Sequence, residues 1–110
     1  MTTVAINEKY AEALSFFGNL DQAIDLALQR FAIEQITTKI AELRQRDAKY
    51  QAKYDQNYSE FAQRVARDEA FVNQIEIKTE KMWEADLADW EFCNEGIKDW
   101  TKKLESILLM

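Results

Sequence analysis

The sequence predicts a mainly α protein with one short strand at its N-terminus. Three observations carry this. Proline is absent from all 110 residues, so helices can run without interruption. Only two glycines are present, Gly18 and Gly96, too few for the turns that a sandwich or barrel needs every ten residues or so. Apolar residues recur at helical spacing along most of the chain.

Residues 2–6 read as the strand. They are β-branched apart from Ala5, and Val4 and Ile6 alternate with Thr3 and Ala5. A lone strand leaves a row of backbone donors and acceptors unpaired, so it is expected to pair with the same strand of a second copy. A first helix follows over 7–17, with Tyr10, Ala13, Leu14 and Phe17 on one side. Gly18 then suits a left-handed helix stop, and Asn19 an N-cap with Gln22 three residues on. The second helix is long. Leu20, Ile24, Ala27, Leu28 and Phe31 form its first stripe. The stripe then shifts to Ile36, Ile40, Leu43, Tyr50 and Tyr54 at coiled-coil spacing, with Asp47 interrupting the seam. Asp55, Gln56 and Asn57 break the chain. Ser59 is placed to cap a short helix, Asp68 and Glu69 to open another turn, and Thr79 to start the last segment. That segment, about 80–109, carries Trp83, Leu87, Trp90, Ile97, Leu104 and Leu108 at heptad-like spacing, with Asn94 and Thr101 as polar exceptions. Gly96 weakens its middle by roughly 1 kcal/mol relative to alanine. The domains read as 1–54, a dimerisation module with a long second helix, and 55–110, an acidic helical arm.

Composition narrows the chemistry. There is no histidine, the commonest general base and metal ligand, and a single cysteine, Cys93. One thiol can form neither an internal disulfide nor a zinc cluster. No metal, cofactor, small-molecule substrate or enzymatic activity is expected. The net charge is −6, and because residues 1–54 balance, all of it falls on 55–110. Such a surface repels phosphate backbones and attracts a basic partner. No signal-peptide pattern and no apolar run of about 20 residues is present, so a cytoplasmic protein off the membrane is expected.

Strand, helix, Gly18-Asn19 corner and helix in this order resemble a ribbon-helix-helix domain over about residues 1–45. The resemblance implies an intertwined homodimer in which Val4, Ile6, Leu14, Leu20, Ile24 and Leu28 form the shared core. It also implies operator DNA read by Thr3, Ala5 and Asn7 from the ribbon, with Lys9 nearby and the helix start at Asn19 on phosphate. Typical readers place Arg, Lys or Gln on the ribbon, which this chain does not.

The whole chain is similar to a RelB-like antitoxin of a bacterial type II toxin–antitoxin system. The arm's signature is Met82-Trp83-Glu84-Ala85-Asp86-Leu87-Ala88-Asp89-Trp90-Glu91. The resemblance implies a dimer that neutralises a basic RelE- or ParE-type ribonuclease and represses its own operon. Trp83, Leu87, Trp90, Ile97 and Trp100 would anchor the toxin, rimmed by Glu84, Asp86, Asp89 and Glu91. The alternative is that Trp83, Trp90 and Trp100 form the protein's own core, against Phe61, Phe71 or the long helix. Function then reads as a structural or interaction protein, a helical coiled-coil dimer with no nucleic-acid role.

Overall fold

A computed structural model of the chain describes residues 5–79 and 82–109. These form five helices: α1 (Glu8–Ser15), α2 (Leu20–Tyr54), α3 (Tyr58–Arg67), α4 (Glu69–Thr79) and α5 (Trp83–Leu108). Among the described residues there is no strand, which corrects the expected fold. Thr3 and Val4 lie outside the described residues. Ala5, Ile6 and Asn7 have no regular structure, and the extended backbone at Asn7 (φ −62°, ψ 135°) is that of a helix N-cap. Its side-chain oxygen accepts from the Lys9 N–H at 3.1 Å. The physical reason is pairing: an extended segment needs a second strand, and the described residues of this chain supply none. A ribbon-helix-helix module is therefore not the architecture seen.

Local chemistry sets the helix ends. Phe16 and Phe17 leave α1 in a turn, and Gly18 follows at φ +123°, a conformation open to glycine. Asn19 Oδ1 then accepts from Asp21 N (2.9 Å) and Gln22 N (3.4 Å), the capping expected from sequence. α2 runs 35 residues and stops where Asp55 turns left-handed at φ 53°. Asn57, rather than Ser59, caps α3 by accepting from Glu60 N at 2.9 Å. Asp68 does the same for α4, accepting from Phe71 N at 3.1 Å.

The chain divides into two compact units, Met1–Gln35 and Ile36–Met110. The second holds every buried apolar residue identified: Ile36, Ile40, Leu43, Tyr54, Phe61, Phe71, Ile75, Trp90 and Cys93. Helices α3, α4 and α5 pack on one another there. Trp90 sits at the centre. Rings of Phe61, Tyr50, Tyr54 and Tyr58 surround it at centroid distances of 5.4, 5.6, 5.8 and 5.8 Å. Gly96 has a packing reason: a β-carbon there would lie 2.8 Å from Leu43 Cδ1, and Leu43 is itself fully buried. In the first unit no described residue is buried.

Candidate functional site

The arm residues predicted to meet a toxin divide by burial. Trp90 is 0% exposed and belongs to the core, so it presents no surface to a partner. Trp83 and Leu87 are half-buried and pack against that same core. Trp83 donates its indole N–H to Glu76 Oε1 at 3.4 Å. Ile97 and Trp100 are half-buried, and Lys103 Nζ stands 4.3 Å from the centre of the Trp100 ring. Glu84 and Glu91 are exposed. The part of the stripe from Trp83 to Trp90 therefore faces the core, where α2 and α3 supply the rings around Trp90, while Ile97 and Trp100 stay half-buried.

Asp86 and Asp89 turn inward to α2. Asp89 pairs with Arg46 and accepts from the Tyr50 hydroxyl at 2.6 Å. Asp86 pairs with Lys53 and accepts from the Tyr54 hydroxyl, each at 2.5 Å. Asp47 faces them from α2. Its Oδ1 accepts from Trp90 Nε1 at 2.6 Å and Asn94 Nδ2 at 3.0 Å, and its Oδ2 from Gln51 Nε2 at 2.6 Å. The two residues that broke the apolar seams in the sequence, Asp47 and Asn94, therefore meet. That coincidence was the signal for this network; the sequence reading named Tyr50 and Tyr54 only as apolar seam residues and placed neither them nor Arg46 and Lys53 against the α5 carboxylates. Burial first, then the hydrogen bond to Asp89 or Asp86, pushes the Tyr50 and Tyr54 hydroxyls well above the usual tyrosine range. Burial also raises the Cys93 thiol, away from the thiolate form that reacts.

The first unit shows the opposite arrangement. Phe16 is 83% exposed and Phe17 84%. Phe31 is 61% exposed, and Tyr10, Leu26 and Leu28 are each more than half exposed. A surface groove of about 600 Å³ runs along Leu26, Ala27, Gln29, Arg30, Ile33 and Glu34. Of the residues predicted for a dimer core, Ile6, Leu14, Leu20 and Ile24 are half-buried and Leu28 is exposed; Val4 lies outside the described residues. Of those predicted for DNA, Thr3 lies outside the described residues and Ala5 is exposed. Asn7 and Asn19 are occupied as helix caps, and Lys9 Nζ lies 4.9 Å from the Tyr10 ring centre.

Among the described residues no group of three histidine, cysteine or acidic side chains is placed to hold a metal ion. No helix among them is long and apolar enough to cross a membrane. Compared with known proteins, the chain matches no family model, no curated protein and no solved structure.

Proposed function

We propose that the protein is a non-enzymatic helical interaction protein that docks through residues 7–35. One observation carries this reading: a segment rich in large apolar side chains has no buried residue of its own, while the rest of the chain has a closed core. Monomeric soluble proteins rarely leave a contiguous apolar face of several hundred Å² in water. Each phenylalanine covered there contributes about 1.5–3 kcal/mol. The closed core gives the docking segment a stable base, because Trp90 and the Asp47 network hold α5 on α2 without it.

In-cell photocrosslinking tests the reading. p-Benzoyl-phenylalanine in place of Phe17 is expected to give a defined adduct, and the same group in place of exposed Lys49 is not. Absence of an adduct at position 17 removes the docking role.

Antitoxin activity is a second reading, favoured by the charge. All of the −6 lies on 55–110, and Glu84 and Glu91 point to solvent. A basic RelE- or ParE-type ribonuclease would then meet these exposed carboxylates and not the tryptophan stripe. Co-expression with a basic ribonuclease encoded beside this chain should restore growth. Glu84→Lys with Glu91→Lys should weaken the rescue, and Trp90→Phe should spare it. No rescue by the wild-type chain ends this reading.

A further inference from the structure

We infer that the surface formed by α1, the Phe16-Phe17 turn and the first turns of α2 is covered by a second copy of this chain. The inference rests on the docking role proposed for residues 7–35 and names its occupant.

Three arguments select a second copy. The first is area. An aromatic side chain covers about 150–250 Å². At the exposures of Tyr10, Phe16, Phe17, Leu28 and Phe31, the uncovered apolar surface is on the order of 600 Å² per chain. A stable pair of proteins buries about 800 Å² on each side. These few side chains therefore supply most of one side of a standard interface, and the half-buried Leu20 and Ile24 adjoin them on the same stripe.

The second argument is permanence. None of the described residues of the first unit is buried, so its cover is needed whenever the chain is folded. α1 has only eight residues, and isolated helices shorter than about 12–15 residues are marginal in water. The molecule always present where this chain is made is another copy of it. A twofold interface also doubles each contact, so two helical segments without a core of their own gain one from one type of surface.

The third argument is the composition of the face. Its centre is aromatic and aliphatic, the signature of obligate pairs. The exposed charges of the same segment are Glu8, Glu12, Asp21, Asp25 and Glu34 against Lys9 and Arg30. That excess of acid is identical on both copies, so salt should screen it and leave the pair as tight or tighter. A complex with a basic partner would instead loosen with salt.

Multi-angle light scattering on the full chain tests this. The wild type is expected at twice 12.9 kDa at micromolar concentration. The mass should hold as potassium chloride rises from about 50 to about 500 mM. Phe17→Asp with Phe31→Asp should raise the dissociation constant at least about a hundredfold, since central aromatic anchors dominate such interfaces. Phe17→Leu with Phe31→Leu should retain the dimer. The near-ultraviolet circular dichroism of the aromatic core around Trp90 should be unchanged in both, which separates dissociation from unfolding. A wild-type dimer that survives the aspartate pair overturns the assigned surface. A monomeric wild type whose position-17 adduct has another mass overturns the second copy and leaves the docking role standing. A monomer with no adduct at all overturns both.

Discussion

At the scale of single residues, Asp47 concentrates the most consequence. It accepts three hydrogen bonds, one from the fully buried indole of Trp90. Asp47→Ala would leave that N–H and the Asn94 amide without their acceptor, at a cost of about 1–3 kcal/mol. Urea unfolding should show a lower midpoint at unchanged slope. Gly96→Ala sets two effects against each other. Helix propensity favours alanine by about 1 kcal/mol, whereas overpacking against Leu43 costs about 1–3 kcal/mol. The net expectation is a loss of roughly 1 kcal/mol, reversed in part when Leu43→Ala is added; a double-mutant cycle by urea unfolding reads this coupling. Tyr50 and Tyr54 carry a pH prediction. Their hydroxyls hold the proton more tightly in the folded chain than the unfolded value of 10.0 allows. Stability from them is complete below pH ~10 and falls as pH rises above it, because the unfolded chain releases protons first. Tyr50→Phe with Tyr54→Phe should flatten this alkaline loss in thermal melts followed by circular dichroism, while lowering stability at neutral pH.

At the scale of elements, periodicity and caps explain what was legible. The 3.6-residue repeat fixed α2 and α5, since long stripes such as Ile36, Ile40, Leu43 and Tyr54 admit no other period. Gly18, Asn19, Asp68 and the break at 55–57 were legible because each has one stereochemical job. Ser59 misled because Asn57, two residues earlier, offers the same kind of acceptor and comes first. The strand at 2–6 misled because β-branched alternation records only a local preference, which Ala5 and Ile6 do not realise without a partner. Burial of the stripe from Trp83 to Trp90 was legible only as an alternative. Spacing shows that the side chains share a face and says nothing of what lies opposite. What lies opposite is Phe61 of α3 and Tyr54 of α2. For the same reason Asp86 and Asp89 read as a solvent rim, although each has a tyrosine and a basic residue of α2 as partners. The caps make a prediction here. Asn57→Ala should cost about 1 kcal/mol; the Asn57 amide also donates to Glu60 Oε1 at 2.8 Å, so Asn57→Asp, which keeps the backbone cap and loses that bond, should cost less.

At the scale of the whole molecule, stability and the proposed self-recognition fall on different units. Every buried residue identified belongs to Ile36–Met110, so native-state hydrogen exchange should find the slowest amides in α2 beyond Ile36 and in α5. Amides of α1 should exchange much faster in dilute solution and slow down as concentration rises. Slow exchange of α1 that is independent of concentration would contradict this division. The tryptophans follow the same division, since Trp83, Trp90 and Trp100 all belong to the second unit. Intrinsic indole emission from this chain therefore reports on the second unit alone. Acrylamide should quench two populations, the half-covered Trp83 and Trp100 readily and the enclosed Trp90 scarcely. Association through Phe17 and Phe31 would pass unseen by such light unless an indole is placed there, and Phe31→Trp would supply one at the face itself.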